Sequence, residues 1–336
     1  MAVMKKNKLY IIAEVGSVHD GSFGNACKLI EQAAKCGANA VKFQTHFGEA
    51  ESLKSAKSPS YFKDEDRISY FNRTGFTLEQ YKKFINVAKK NNIDFFSSPF
   101  SLEAVDFLEK LKVKAHKIPS GEVTNLPLLK KIYKTKKKVF LSTGMSNWKE
   151  INEAIKIFKN KNNIVLMQCT SMYPCPNNKV GINVIREMIS KYKIPVGFSD
   201  HTTGFVAAIG AIFSGANVIE KHLTFSKFMY GSDAFNALEP NDFKFFCSLL
   251  RQAFEIRESK VNKNDLSNLK SIKKIFEKSI VASKNINKGS IIKLSDLAYK
   301  KPGDGISAAL YKKILGKKVN KNFKINDKFK YTHFEK

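Results

Sequence analysis

Arginine is scarce in this chain: Lys and Arg together number 58, and only five are arginine. The formal net charge of +28 raises the question of nucleic-acid binding. Arginine dominates recognition of bases and phosphates, however, and the lysines are spread over nearly every expected helix rather than gathered in a patch. The runs Lys136–Lys138 and Lys159–Asn163 fall where helices should end, and cations there complement the helix dipole. A nucleic-acid partner is not expected. An uninterrupted apolar run near 20 residues is also missing, so no membrane span is expected. The basic start, Met1–Leu9, is followed by too short an apolar core for a signal peptide. Cysteines number five (Cys27, Cys36, Cys169, Cys175, Cys247), and no two form a CxxC. A disulfide framework and a structural zinc site are therefore not expected, and a reducing cytoplasm is the expected setting.

What is present is order. From Leu9 to about Phe254, short apolar runs alternate with amphipathic stretches. The runs Tyr10–Glu14, Ala40–Phe43, Asp94–Ser97, Ala115–Ile118, Val139–Ser142, Ile164–Gln168, Val196–Ser199 and Val218–Glu220 read as strands. Helical spacing falls between most of them, as in Gly24–Cys36, Leu78–Asn91, Leu102–Leu111, Asn147–Phe158 and Asn241–Glu255. Eight strands interleaved with helices predict an α/β fold, a (β/α)8 TIM barrel over residues 1–258. An open doubly wound sheet is the alternative, but no GxGxxG follows the first strand. The polar and aromatic insertion His46–Thr77 is long enough to be a substrate lid. Residues 259–278 read as a linker, and residues 279–336 as a small turn-rich module.

In a barrel, chemistry gathers at the C-terminal ends of the strands. Here those ends carry Glu14, Lys42 with Gln44, Ser97 with Ser98, Lys117 with Ser120 and Glu122, Ser142 with Thr143, Thr170 with Ser171, Ser199 with His201, and Glu220 with His222. Two lysines and several hydroxyls facing one cavity suit an anion bearing phosphate and carboxylate. Glu14 and Glu122 are candidates for proton transfer. His201 and His222 close adjacent apolar runs, one strand–helix–strand unit apart. They form a two-point site for a borderline divalent metal, or are two unrelated polar strand ends. Among the other histidines, His19 sits in a Gly-rich turn as a supporting group and His46 opens the lid. His116 alternates with Lys117 and so should face the helices, and Cys169 reads as a small core residue.

Several segments together resemble the bacterial sialic acid synthase (N-acetylneuraminate synthase) family. In the first half these are Ile11-Ile12-Ala13-Glu14-Val15-Gly16, Val41-Lys42-Phe43-Gln44-Thr45, Ser97-Ser98-Pro99-Phe100 and Lys117-Ile118-Pro119-Ser120-Gly121-Glu122. Further on they are Ser142-Thr143-Gly144-Met145, Cys169-Thr170-Ser171 with Tyr173-Pro174, Ser199-Asp200-His201-Thr202 and Glu220-Lys221-His222. The C-terminal module resembles the antifreeze-like (SAF) domain that closes those proteins. The resemblance implies condensation of phosphoenolpyruvate with an N-acetylated amino sugar, N-acetylmannosamine or a modified relative, to give a nonulosonic acid and phosphate.

By the same resemblance, His201 and His222 would hold Mn²⁺ or Mg²⁺. Lys42, Ser98, Lys117, Ser120, Ser142 and Ser199 would bind phosphoenolpyruvate. Gln44, Ser171, Tyr173 and Asp233 would meet the sugar, and Glu14, Glu122 and His201 would carry the chemistry. The family also implies a domain-swapped homodimer, in which Lys301 would reach the sugar of the partner's site. Three positions depart from the usual pattern: Ser171 stands for Asn, Asp233 is kept but Ala234 and its other neighbours differ from the usual residues, and Lys301 stands for Arg. These departures bear on the sugar, and a legionaminic- or pseudaminic-type precursor fits them. The competing reading is an inactive barrel serving as a carbohydrate-binding or scaffold protein.

Overall fold

The computed structural model describes residues 8–58, 65–231 and 233–335. The first seven residues, residues 59–64 of the expected lid, and Ser232 lie outside that description. The chain divides into two compact units, Met1–Ser259 and Lys260–Lys336.

In the first unit, strands and helices alternate: β1 (Tyr10–Gly16), α1 (Phe23–Lys35), β2 (Ala40–Thr45), α2 (Gly48–Glu51), α3 (Arg67–Thr74), α4 (Leu78–Lys90), β3 (Asp94–Pro99), α5 (Leu102–Lys110) and β4 (Ala115–Ile118). The alternation continues with α6 (Leu126–Lys134), β5 (Lys138–Ser142), α7 (Trp148–Ile157), β6 (Ile164–Gln168), α8 (Ile182–Tyr192), β7 (Val196–Asp200), α9 (Val206–Phe213), β8 (Val218–His222) and α10 (Pro240–Glu258). All eight strands are parallel, and β1 pairs with both β2 and β8, which closes the barrel.

Local sequence sets the helix starts. The side chains of Ser22, Asp66, Ser101 and Asn125 accept from free N–H groups in the first turns of α1, α3, α5 and α6, and Thr77 and Asn147 open α4 and α7 with full capping boxes. Two apolar layers follow from the strand period of two. Tyr10, Ile12, Ala40, Phe96, Ala115, Phe140, Val165, Met167 and Val218 fill the barrel interior. Alternate strand residues such as Ile11, Val41, Phe43, Phe95 and Ile219 pack against the helices. The interior layer occupies the lower barrel, so polar strand-end residues meet above it.

The second unit opens with α11 (Lys270–Phe276), inside the stretch read as a linker. The helix is short and lysine-rich and buries no side chain, which hid it from the apolar pattern. Antiparallel β9 (Ser279–Ala282) and β10 (Leu297–Lys300) then pack with turns around Ile280, Ile292, Ile314, Val319, Phe323 and Phe329.

Candidate active site at the strand ends

One cavity of about 430 Å³ opens where the strands end. It is lined by Glu14, Lys42, Gln44, Ser98, Lys117, Ser120, Glu122, Ser142, Ser171, Tyr173, Ser199, His201, His222 and Asp233. The barrel residues given a role by the resemblance thus share one space, whereas three of the strand-end residues do not line it: Ser97 bonds Thr45, Thr143 donates to the Met167 carbonyl and Thr170 to the Lys179 carbonyl. Lys301 belongs to the second unit, where its Nζ lies 4.8 Å from the Phe276 ring centre.

The floor is a charge network. Lys117 Nζ donates to both oxygens of Glu220, at 2.7 and 2.8 Å. Lys42 Nζ pairs with Glu14 at 2.8 Å, donates to Ser98 Oγ at 3.1 Å and lies 4.0 Å from Glu220. Ser199 Oγ donates to Glu220 Oε1 at 2.9 Å. Burial pushes the Lys117 ammonium below its ordinary range, since Glu220 only partly offsets desolvation and Lys42 repels it. Burial works on Lys42 in the same direction, but Glu14 and Glu220 outweigh it and hold Lys42 above its usual value. Burial alone would raise the Glu220 carboxyl, yet the two lysines bring it down to about 2. Both lysines therefore sit in carboxylate partnerships that an incoming anion must rearrange. Ser142 Oγ is buried with no hydrogen-bond partner, a hydroxyl prepared for an acceptor that enters the cavity.

Around this floor the backbone makes room. Gly16 has φ +56°, and a Cβ there would run into the Asp233 carboxylate, which accepts from Ser17 N–H at 3.3 Å. A Cβ on Gly144 would lie 2.5 Å from both Cys169 Sγ and Ser171 Oγ. Gly144 N–H instead donates to Ser120 Oγ, which also lies 3.1 Å from Cys169 Sγ. Cys169 thus lines the cavity and supports Ser120, which corrects its reading as a core residue alone. Glu122 accepts from Asn125 at 2.7 Å, and burial raises its carboxyl above the ordinary glutamate range.

The two histidines have their ring centres 5.8 Å apart. His201 Nδ1 lies 2.8 Å from the carbonyl oxygen of Thr170, so it carries the proton there and leaves the Nε2 lone pair free. Burial and neighbouring His222 bring the His201 imidazole down to about 3, which keeps the ring neutral. His222 Nδ1 is buried without a partner. The neutral His201 ring, whose Nε2 has only a long 3.5 Å contact with Ser199 Oγ, and the unpartnered Nδ1 of His222 are nitrogen donors that suit a divalent metal. Among the described residues no group of three or more His, Cys, Asp or Glu could hold one, so solvent or substrate would have to complete the shell.

Four contributors were given no specific role in the sequence reading: Glu220, noted there only as a strand end, and His46, Arg67 and Phe71. Glu220 shares the inward parity of His222 on β8, and the period of two could have marked it. The lid adds His46, whose ring stacks on Phe71 at 3.7 Å and on Phe100 at 4.0 Å. It links Glu51, at 2.8 Å, to Gln44 Oε1, at 3.0 Å, and Gln44 Nε2 in turn donates to Glu14 at 2.8 Å. Helix α3 adds Arg67 and Phe71 to the lining. By contrast His116 faces outward and bonds Glu109 at 2.7 Å. His19 is buried between Phe43 and Phe76, beside the lid.

The sequence model of the NeuB family matches residues 29–262, and that of the SAF domain matches residues 277–335. The N,N'-diacetyllegionaminic acid synthase of Campylobacter jejuni is 44% identical over 94% of this chain and 97% of its own. A pseudaminic acid synthase of the same species is 33% identical over 98% and 97%. The crystal structure of the N-acetylneuraminic acid (sialic acid) synthetase of Leptospira borgpetersenii in complex with citrate superposes with a TM-score of 0.71. It shares 28% identity and covers 79% of this chain and 90% of its own.

Proposed function

The chain belongs to the NeuB family, with an SAF domain at its C-terminal end, and from that premise we propose that it condenses phosphoenolpyruvate with an N-acetylated amino sugar to give a nonulosonic acid and phosphate. The observation that carries the reading is the shared cavity. Lys42, Lys117 and the open Ser142 hydroxyl form an anion floor, and His201 and His222 stand in the same space as Glu14 and Glu122.

Phosphoenolpyruvate has a phosphate and a carboxylate to distribute over Lys42, Lys117, Ser98, Ser120, Ser142 and Ser199. The sugar would lie above it against Gln44, Ser171, Tyr173 and Asp233. C3 of the enol phosphate attacks the aldehyde carbon, and the aldehyde oxygen takes a proton. Water adds to the resulting cation at C2 and gives up one proton, leaving a hydroxyl; that hydroxyl passes its remaining proton to the departing phosphate as the bond from C2 to the phosphate oxygen breaks, which leaves a ketone. Glu14, joined to Lys42 and Gln44, and Glu122, raised by burial, are the groups in place to move those protons. A divalent ion, Mn²⁺ or Mg²⁺, on His201 and His222 would polarise the aldehyde oxygen.

The names of the relatives favour a modified sugar, of the legionaminic or pseudaminic type, over N-acetylmannosamine itself. The test is phosphate release from phosphoenolpyruvate with a panel of 2-acetamido sugars and Mn²⁺. Release with at least one sugar is expected, and none with any would overturn the reading in favour of a binding protein.

A further inference from the structure

Helix α3 of the lid carries two arginines with opposite surroundings. Arg73 is a structural arginine: its guanidinium reaches Glu65 at 2.7 Å and Asp20 at 2.9 Å, which ties the lid to the loop after β1. Arg67, almost two turns earlier, lines the cavity instead. Its Nε is buried with no hydrogen-bond partner, and it forms no ion pair among the described residues. Its guanidinium lies over the Phe71 ring, 5.4 Å from its centre. A buried N–H on a charged donor is costly to leave unmade. Among the described residues, the cavity is the place from which an acceptor can reach it.

The surroundings decide which acceptor. Glu14, Glu122 and Asp233 line the same cavity, and Glu51 sits behind His46. Lys42 and Lys117 are already held by carboxylates on the floor. A second phosphate on the sugar would meet several carboxylates with one unpaired cation. A neutral amide carbonyl accepts from the same fork with no charge to repel. Phe71, Phe100 and Met145 line the cavity as well and offer apolar surface to an acyl methyl.

We propose that Arg67 is a specificity-determining residue, donating to the carbonyl oxygen of a second, uncharged acylamino group on the amino sugar. This rests on the condensation reading above and deepens it: Arg67 is the residue that tells a diacylated amino sugar from a monoacylated one or a sugar phosphate. Arg67 recognises that substituent and takes no part in the anion floor.

The test compares the wild type with Arg67→Met and Arg67→Lys in steady-state phosphate release. The sugars are N-acetylmannosamine, its 6-phosphate, and a 2,4-diacetamido-trideoxy hexose of the same C2 configuration. The wild type is expected to prefer the diacetamido sugar. Arg67→Met should lose about ten- to hundredfold in kcat/KM for it, mostly through KM, the scale of one hydrogen bond to a charged donor. The ratio of diacetamido to monoacetamido turnover should collapse while the KM for phosphoenolpyruvate stays put, which a merely misfolded variant would not show. Arg67→Lys should restore only part of the ratio, because an ammonium lacks the fork. A ratio unchanged in Arg67→Met, or a wild type that prefers the 6-phosphate, overturns the inference alone. No phosphate from any sugar with the wild type overturns the condensation reading and the inference with it.

Discussion

Replacing Glu220 by Gln tests the charge balance of the cavity floor. The side chain keeps its shape and one oxygen for Ser199, but the buried Lys117 ammonium loses both charged contacts, at 2.7 and 2.8 Å. Removing one partner of a buried pair costs about 3–5 kcal/mol, and the retained amide oxygen favours the low end, about 3 kcal/mol. For a chain of this size each kcal/mol moves Tm by roughly 2 °C, so Tm should fall by about 6 °C.

Phosphoenolpyruvate should reverse this. At 100 times its Kd a ligand adds about 2.7 kcal/mol, or roughly 5 °C on that scale. In Glu220→Gln the ligand supplies the missing negative charge and meets no competing carboxylate at Lys117, while Glu14 stays on Lys42. Tenfold tighter binding would bring the gain at the same concentration to about 4.1 kcal/mol, or roughly 8 °C. The pH dependence has a definite sign. The folded Glu220 carboxyl lies at about 2, below its ordinary 4.5. Its contribution is therefore fully present above pH 4.5 and is lost as pH falls toward 2, so the gap between wild type and variant should close across that window. Differential scanning fluorimetry with and without phosphoenolpyruvate reads all three quantities. An unchanged Tm at pH 7, or a ligand increment no larger than that of the wild type, refutes the charge-balance argument.

Chelation should abolish turnover and Mn²⁺ restore it, with His222→Ala costing a factor on the order of 10³ in kcat. A metal-free His222→Ala enzyme with full activity would sink the two-histidine site. Lys117→Met should raise the KM for phosphoenolpyruvate at least tenfold, the scale of one charged contact, while that for the sugar moves little. An equal rise in both is the refuting result. If the C-terminal module serves a partner's site, as the family resemblance implies, Lys301→Ala and His201→Ala chains that are each impaired should recover activity when mixed, and failure of wild-type chains to dimerise by light scattering would exclude it.

The barrel was legible because its signals are local. Each strand is a short apolar run, and caps such as Thr77 and Asn147 mark helix starts within three residues. The site was legible because a barrel sends its strand ends to one mouth, so Glu14, Lys42, Lys117 and His222 could be placed together without knowing any distance. What escaped depends on partners far apart in sequence. Cys169 reads as a small apolar residue until Ser120, 49 positions away, is seen beside it. His46 lies in a lid with weak periodicity, and it meets Phe71 and Phe100 only because the chain folds back on itself there. Which carboxylate holds which lysine depends on the closure of β8 against β1, a long-range property that no local pattern carries.

Strand parity offers a separate check on that geometry. Lys221 lies between Glu220 and His222 on β8, so its side chain leaves on the opposite face. It is fully buried among the helices, where Nζ pairs with Asp200 at 2.9 Å and donates to the carbonyl oxygens of Thr202 and Gly204. Burial pulls its ammonium below the ordinary lysine range, so the partners hold the charge against desolvation. Lys221→Met would leave Asp200 with the Thr202 N–H, at 2.8 Å, the Thr202 carbonyl without its Lys221 donor, and the Gly204 carbonyl with only the Thr202 hydroxyl, at 3.5 Å. The cost is that of a broken buried pair, about 3–5 kcal/mol, or a fall in Tm of roughly 6–10 °C. No anion subsite is touched, so the KM for phosphoenolpyruvate should stay within about twofold, less than the loss of one weak hydrogen bond. Lys117→Met has the reverse signature, with a large effect on that KM. A Lys221→Met enzyme with unchanged Tm and a raised KM for phosphoenolpyruvate would mean that β8 is turned by one residue, with Lys221 and not Glu220 facing the substrate.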